Sequence, residues 1–300
     1  MNVTILGNNS ALPAFGRHPT CQAVELSSEI ILIDCGEGTQ VQMQRYGIKW
    51  RRVHHILISH MHGDHYFGLP GLLNSMSLQG RKDELHIYGP QQLEPIVDAM
   101  MHAGGHQFEF PLHFHTLPDG AGVISDGTYF KISCFPVQHR IPCHGFVIEQ
   151  KNARRRLLID QCEAYGIPKT FYGPLKLGED YVAPDGTVVP NELVTAESLP
   201  PRRYAYSADT LFSDSYLPYI QNADVLYHES TYLHADVEKA VARFHSTSMQ
   251  AAQMAKMANA GQLLLGHFSS KYKDITPFQE EARTIFENAM ATIEGTTYPV

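Results

Sequence analysis

The sequence lacks the features that would set it apart from ordinary globular proteins. No apolar run approaches the length of about 18 residues that a membrane span needs, and the first residues, Met1 to Gly7, lack the basic, apolar and small-residue succession of a signal peptide. We therefore expect a cytoplasmic protein with no membrane partner. The five cysteines show no CxxC spacing, which favours reduced, buried thiols over disulfides or metal ligands.

Positive charge is in short supply. The 23 Lys and Arg residues against 31 Asp and Glu give a formal net charge of −8, so the field of the whole chain repels polyanions. Any contact with nucleic acid must then be local. Each of the two basic clusters, taken by itself, is more typical of a solvated surface than of a nucleic-acid site. The first consists of Lys49, Arg51 and Arg52, and the second of Lys151, Arg154, Arg155 and Arg156.

Apolar residues are plentiful, at 43% of 300, which is enough to build a sizeable core. Short β-rich runs alternate with stretches whose apolar residues recur at spacings of three and four. This alternation predicts a single α/β domain over residues 1–300, with sheets flanked by helices. Helices are predicted at 40–46, 69–79, 91–103, 248–260 and 277–287, and strands at 3–6, 23–26, 30–34, 55–59, 85–88, 130–137, 145–149, 157–159, 204–207, 225–228 and 262–266.

Residues 161–201 interrupt this alternation. The segment is rich in Gly and Pro, shows little periodicity, and is too long for an ordinary connection in a compact domain. Its composition leaves two interpretations open: a linker between subdomains, or a functional arm.

The most informative run extends from His60 to His65 and contains three imidazoles and one carboxylate, directly after the predicted strand 55–59. Imidazole nitrogens suit Zn²⁺, and the added carboxylate of Asp64 favours a site for two ions rather than one. A paired metal site indicates hydrolysis.

Three further residues, His139, Asp209 and His267, follow predicted strands in the same way. Because the ends of neighbouring strands meet at one edge of a sheet in α/β folds, we expect these side chains near the run. With 17 histidines in the chain, a lone one such as His86 or His113 is more typically a surface or core residue.

These residues together resemble the metallo-β-lactamase superfamily, and four other segments narrow the resemblance to the ribonuclease Z family of tRNA 3′-processing endonucleases. It spans nearly the whole chain and implies a four-layer αββα sandwich with a protruding arm at about 161–201. The four segments are Asp34 to Thr39, His228 to Thr231, His245 to Thr247 and Gly266 to Tyr272. In the first of them, Thr39 is placed to cap the helix predicted from residue 40.

The resemblance also implies two Zn²⁺ per chain. Two such cations bind the scissile phosphate, lower the pKa of a bridging water and stabilise the attacking and leaving oxygens. His60, His62 and His139 would hold one ion, Asp64, His65 and His267 the second, and Asp209 would bridge both.

By the same resemblance, three residues act in catalysis. Asp64 would accept a proton from the attacking water or hold that water in line. His245 would protonate the leaving oxygen, and Glu229 would orient and charge the imidazole of His245. For the loop that carries His245, the alternative is a helix-capping role of Ser246 or Thr247.

In the ribonuclease Z family, an arm between the ligands equivalent to His139 and Asp209 grips the tRNA elbow, and the Gly/Pro-rich segment of this chain lies at that place. The implied substrate is precursor tRNA, cut after the discriminator base by a homodimer, with a 3′-hydroxyl left on the tRNA and a 5′-phosphate on the trailer. The chain departs from the family at Ser230, where Ala is common, and near Gly173, where the usual Pro-Gly-Pro-Leu order is altered. Arm contact residues are therefore not transferred.

Two other functions stay open. A superfamily relative that hydrolyses a small phosphodiester, ester or thioester would share the metal run but would need neither the arm nor the two His-containing loops. A non-catalytic RNA-binding protein on the same fold should have lost metal ligands, and all seven are present here.

Overall fold

The computed structural model describes residues 1–26, 29–105, 108–151, 155–197 and 200–300. They form two compact units. The first comprises Met1–Asp126, Ile132–Ile148 and Arg203–Val300, and the second comprises Gly127–Lys131 and Glu149–Arg202. The predicted arm at 161–201 falls within the second unit, and Arg154 of the second basic cluster lies outside the described residues.

The strands are short, with two to eight residues each. In chain order they are β1 Asn2–Gly7, β2 Cys21–Glu25, β3 Ile30–Ile33, β4 Val53–Leu57, β5 Leu85–Gly89, β6 Leu112–Thr116, β7 Gly122–Asp126, β8 Phe130–Val137, β9 Cys143–Gln150, β10 Arg156–Leu157, β11 Tyr181–Val182, β12 Val188–Val189, β13 Thr195–Ala196, β14 Arg203–Tyr206, β15 Val225–Glu229, β16 Gln262–Gly266, β17 Ala289–Ala291 and β18 Thr297–Pro299.

The α-helices are also short, apart from three of ten or eleven residues. None of the helices in the described ranges combines the length and apolar character needed to cross a membrane. In chain order they are α1 Thr39–Arg45, α2 Gly63–Tyr66, α3 Leu69–Leu78, α4 Leu93–Ala103, α5 Ile159–Ala164, α6 Tyr172–Lys176, α7 Asn191–Val194, α8 Leu217–Ile220, α9 Val237–Ala242, α10 Ser248–Met257 and α11 Thr276–Arg283.

Two seven-stranded sheets form the frame of the first unit. Their strand orders are β18-β1-β2-β3-β4-β5-β6 and β17-β16-β15-β14-β9-β8-β7. Strands β3 to β6 are parallel to one another, and so are β14 to β17. Parallel strands deliver the residues that follow them to one edge of the sheet, which is where sites form in α/β folds.

Strand β3 shows why each sheet lies between two layers. All four of its residues are buried, and only Ile30 and Leu32 belong to the core that the first sheet forms with α1, α3 and α4. Ile31 and Ile33 therefore face the opposite side, and a strand buried on both faces needs a layer on each. A second core joins the other sheet to α10 and α11. The result is the predicted four-layer sandwich of helix, sheet, sheet and helix.

The second unit has a small core of its own, made by Cys162, Ile167, Leu175, Val189 and Val194. Two two-stranded ladders accompany this core, β10 with β13 and β11 with β12. The buried amide of Asn191 donates to the carbonyl oxygens of Leu175 and Glu179, both at 2.8 Å. These bonds join helix α7 to α6 and to the turn that follows α6, so the Gly/Pro-rich segment has a defined local fold.

Most predicted elements are confirmed to within a few residues, with two exceptions. Thr39 is not a helix cap: α1 begins at Thr39 after Gly38, and the Thr39 hydroxyl donates instead to the Gly36 carbonyl at 2.8 Å. The strand predicted at 157–159 ends at Leu157, because α5 begins at Ile159. All five cysteines are unpaired and buried, as predicted.

Helix α10 begins with a capping box. The Thr247 hydroxyl accepts from the Gln250 backbone N–H at 3.3 Å, and the Gln250 side-chain oxygen accepts from the Thr247 backbone N–H at 2.9 Å. Thr247→Ala leaves one of these donors without a partner, so we expect the free energy of unfolding to fall by about 1 kcal/mol. Denaturant unfolding measures this loss, and Thr247→Ser, which retains the hydroxyl, should unfold like the parent protein. Equal losses in both variants would contradict a capping role.

Candidate active site

The run from His60 to His65 forms the loop between β4 and α3. His62 is extended (φ −74°, ψ 139°) and precedes the single helical turn of α2, which carries Asp64 and His65. The loop is fixed to the end of β3, because the Cys35 backbone N–H donates to the His65 carbonyl at 2.8 Å and the Gly68 N–H donates to the Cys35 carbonyl at 2.9 Å.

The first group of potential ligands consists of His60, His62, His139 and Asp209. Nδ1 of His62 lies 3.0 Å from Nε2 of His60 and 3.1 Å from Nε2 of His139. Oδ2 of Asp209 lies 3.7 Å from Nε2 of His60 and 3.9 Å from Nε2 of His139. Three imidazoles and one carboxylate thus converge within the separations that ligands of a single ion require.

Asp64, His65 and His267 make a second group beside the first. Oδ2 of Asp64 lies 3.6 Å from Nε2 of His65 and 3.5 Å from Nε2 of His267. Asp209 faces this group too, with Oδ2 3.4 Å from Nε2 of His65 and Oδ1 3.3 Å from Nε2 of His267. Asp209 is therefore the one carboxylate that both groups share.

A buried carboxylate, Asp34, orients the ligands of the loop. Its Oδ2 accepts from Nδ1–H of His65 at 2.8 Å, from the Ser59 hydroxyl at 3.0 Å and from the Tyr206 hydroxyl at 2.6 Å. The Ser59 hydroxyl oxygen in turn accepts from Nδ1–H of His60 at 3.0 Å. With both protons held on Nδ1, the Nε2 lone pairs of His60 and His65 point into the cluster.

The other two Nε2 ligands are oriented in the same manner. Nδ1–H of His139 donates to the Phe244 carbonyl at 2.9 Å, and Nδ1–H of His267 donates to the Thr231 hydroxyl oxygen at 2.9 Å. Acceptors of this kind behind each imidazole fix its tautomer and raise its basicity as a ligand.

Burial keeps the histidines of the first group neutral. Removal from water lowers the pKa of His60 well below its ordinary value and also lowers the pKa of His62 and His139. Neutral imidazole is the form that binds a metal ion. These three side chains are therefore in their ligand form at neutral pH.

The second group has the electrostatics of a cation site. Burial would raise the pKa of Asp209, but His267 and His65 outweigh burial and hold the pKa of Asp209 well below its usual range. Burial likewise opposes a charge on His65, yet the Asp209 and Asp34 carboxylates raise the pKa of His65 well above its ordinary value. Nε2 of His65 and Nε2 of His267 are buried and make no hydrogen bond to any described residue. Orphaned ring nitrogens facing carboxylates fit a bound metal ion.

Glu229 and His245 form a separate buried pair. Glu229 Oε1 accepts from Nδ1–H of His245 at 2.8 Å and from the Thr210 N–H at 2.9 Å, while Oε2 accepts from the Thr231 hydroxyl at 2.6 Å and from the Thr231 N–H at 3.1 Å. Burial would lower the pKa of His245, but Glu229 raises it to about 9. His245 is therefore held as an imidazolium whose ring packs against His139 and His267, with centroids 5.2 Å and 5.4 Å away.

Part of this group of side chains lines one open cavity of about 590 Å³ in the first unit. His62, Asp64, His139, Asp209, His245 and His267 contribute to its wall, together with Arg140 and Arg243. The cavity can therefore admit a substrate much larger than the reacting group, and it offers both metal ligands and a protonated imidazole.

The structure brings every predicted site residue into this region. It also places a nitrogen of His245 close to ligand atoms of Asp209 and His267, which makes a third group. The role of His245 as a proton donor therefore rests on its pairing with Glu229 and not on its distance from the ligands. Sequence reasoning missed Asp34 and Ser59 as partners of the ligands. Both follow a strand, β3 or β4, and that is the signal by which the other ligands were found.

Five non-glycine residues beside the site have positive φ. They are Ala11 (64°), Asp34 (58°), Ala208 (55°), Phe244 (60°) and His267 (60°). Side chains disfavour this region of backbone space, and residues held there concentrate at functional sites. Four of these residues present a group that the site uses: the backbone N–H of Ala11, the carboxylate of Asp34, the carbonyl of Phe244 and the ring of His267.

Comparison with known proteins agrees with this geometry. A family model described as "Anti-Pycsar protein Apyc1" matches residues 1–153. Ribonuclease Z of Porphyromonas gingivalis is 40% identical over 98% of this chain and 97% of its own length, and ribonuclease Z of Parabacteroides distasonis is 38% identical over 98% and 97%. The crystal structure of human tRNase Z, short form, superposes with a TM-score of 0.72 at 25% identity and covers 100% of this chain and 99% of that one.

The fold and the site define a metal-dependent hydrolase of the metallo-β-lactamase fold. The relatives match the chain from end to end, whereas the family model covers the half that carries the run from His60 to His65. The chain belongs to the ribonuclease Z family.

Asp34→Asn should weaken metal binding, because the amide no longer draws the proton of His65 onto Nδ1. Loss of such a supporting carboxylate costs about 10- to 100-fold in metal affinity. Competition between the protein and a chromophoric chelator for Zn²⁺ measures the change. Asp185→Asn, on an exposed turn of the second unit, is the matched control and should bind Zn²⁺ like the parent. An Asp34→Asn protein with a native circular dichroism spectrum and unaltered affinity would contradict this role.

Proposed function

We propose that the protein is a zinc-dependent endoribonuclease that removes the 3′ trailer from precursor tRNA, leaving a 3′-hydroxyl on the tRNA and a 5′-phosphate on the trailer. The observation that carries the proposal is the Glu229–His245 pair beside two adjoining groups of metal ligands, in a chain whose full length matches ribonuclease Z relatives. A hydrolase of small esters needs the ligands but has no need for a cavity of this size.

Two zinc ions would be held by residues already described. His60, His62 and His139 would bind one ion, Asp64, His65 and His267 the other, and Asp209 both, in accord with the distances between their ligand atoms. When bound, the pair would neutralise the phosphate oxygens and lower the pKa of water at the site.

Asp64 would position the attacking water and receive its proton. The carboxylate is held in place by the Ala11 backbone N–H, which donates at 2.7 Å to Oδ2, the same oxygen that faces His65 and His267. Burial would raise the pKa of Asp64, but His65 and His267 lower it, which keeps the carboxylate ionised and able to accept a hydrogen bond from the water.

His245 would deliver a proton to the 3′ oxygen of the tRNA as the bond from that oxygen to phosphorus breaks. Its Nδ1–H is tied to Glu229, so Nε2 is the nitrogen that can give a proton to the substrate. Glu229 acts through His245: its carboxylate keeps the ring oriented and protonated.

Cleavage of a precursor tRNA tests the function directly. We expect the purified protein to cut once, after the discriminator base, and to lose activity when a chelator removes its metal, with recovery on addition of Zn²⁺. A small phosphodiester assayed in parallel separates the alternatives, since hydrolysis of that compound without cleavage of precursor tRNA would overturn the proposal. Activity that survives complete metal removal would overturn it as well.

Substitutions of the acid pair should slow turnover without emptying the metal site. His245→Ala should reduce kcat by about 10²- to 10⁴-fold, and zinc content measured by elemental analysis should stay at the parental value. His102→Ala, at an exposed position of α4, is the control. Loss of zinc from His245→Ala would instead make His245 a ligand.

Glu229→Gln should shift the pH dependence of kcat. A proton donor is lost as the pH rises through its pKa, and Glu229 raises the pKa of His245 to about 9. Removal of the carboxylate lowers that pKa, so the alkaline limb of the profile should move to lower pH. A limb that keeps its position would show that Glu229 does not set the protonation of His245.

The remaining expectations come from the family resemblance. The segment at 161–201 would act as an arm that holds the tRNA. Binding to the tRNA backbone would use a local patch of Lys and Arg side chains, so it should weaken as salt is added. The protein would be a homodimer. It would lie in the cytoplasm, and five free, buried cysteines support that compartment. Light scattering in solution tests the dimer, and a mass equal to that of one chain would refute it.

A further inference from the structure

Phe67 is an aromatic side chain exposed at the active site. It lines the cavity next to His62, Gly63 and Asp64, and 63% of its surface is accessible to solvent. The apolar neighbours of the same segment, Leu69, Leu72 and Leu73, are buried in the core. Phe67 is thus the one large apolar residue of this segment that the fold leaves in water beside the predicted ligands.

The ring is held in place despite its exposure. A Cβ atom on Gly63 would lie 2.2 to 2.6 Å from three ring carbons of Phe67, so the ring rests directly on the glycine backbone. Tyr66 meets the ring edge to face, with centroids 5.0 Å apart, and the Phe67 N–H donates to the Gly63 carbonyl at 2.9 Å. One side of the ring is therefore supported by the ligand loop, and the rest is open to the cavity.

The surroundings indicate what the open surface of the ring would contact. Arg140 and Arg243 line the same cavity and can neutralise phosphate oxygens. Cations for a phosphate chain and an aromatic surface for bases are the two elements of single-strand nucleic-acid recognition. An unstacked base flanking the bond to be cut has an apolar π-face that needs such a partner.

We propose that Phe67 is a stacking platform for the base of one nucleotide that flanks the scissile phosphate; this inference rests on the proposed function. The ring receives the base face to face and sets the distance of the adjoining phosphate from the metal ligands of the loop. Because stacking tolerates any base, the subsite supports binding without selecting a sequence. It is a binding determinant and takes no part in proton transfer.

The test compares Phe67→Ala, Phe67→Tyr and Phe67→Leu on a precursor tRNA and on versions that are abasic at one or at both flanking nucleotides. Phe67→Ala should lower kcat/KM on the intact substrate by about 5- to 150-fold, the range for loss of one base–aromatic stack. Phe67→Tyr should retain parental activity, whereas Phe67→Leu, which is apolar but has no ring, should resemble Phe67→Ala. On one of the two singly abasic substrates, and on the doubly abasic one, the penalty of Phe67→Ala should vanish.

A matched control is Phe15→Ala, which removes another exposed phenylalanine, one that does not line the cavity, and should leave kcat/KM unchanged. Zinc content and melting temperature of the Phe67 variants must match the parent, so that a damaged loop is recognised. An undiminished penalty on all abasic substrates, or full activity of Phe67→Leu, overturns the stacking platform. Failure of the parent protein to cut precursor tRNA would refute the proposed function instead, so the two failures are distinguishable.

Discussion

The buried carboxylate of Asp34 is the interaction on which the site depends. It follows β3 of the first sheet, receives a hydrogen bond from Tyr206 at the end of β14 in the second sheet, and receives others from Ser59 and His65 of the ligand loop. A buried carboxyl group must satisfy its oxygens with hydrogen-bond donors, so this residue ties together the elements that supply them. The same anion then aligns two imidazoles for a metal ion.

A second buried carboxylate, Glu229, performs the corresponding task on the other sheet. Four donors surround it, and only one of them, His245, carries a charge. The remaining three are neutral groups of Thr210 and Thr231. They fix the position of the carboxylate but do not neutralise its charge, so Glu229 can still raise the pKa of His245. The two anions differ in function because Asp34 makes its histidine neighbour a better ligand, whereas Glu229 keeps its neighbour protonated.

The sequence predicts the residues of the site better than their partners. The run from His60 to His65, and the position of His139, Asp209 and His267 after apolar strands, are local patterns that a reader of the sequence can see. The role of Asp34 is not local, because its hydrogen bond to Tyr206 spans 172 positions and depends on how two sheets face each other. Strands β6, β7, β17 and β18 were not predicted. All four lie at the edge of a sheet, and each is short, with most of its residues exposed or half exposed.

The hydroxyl of Thr231 joins the two halves of the site through a single oxygen. It donates to Glu229, the partner of His245, and it accepts from His267, a member of the ligand cluster. In any redesign of this protein, the orientation of the ligand His267 and the position of Glu229, which sets the protonation of His245, are therefore coupled through Thr231. A serine at this position would keep both bonds, but most other residues would disturb the two together, so useful variants would have to change Thr231 and at least one of its neighbours in the same step.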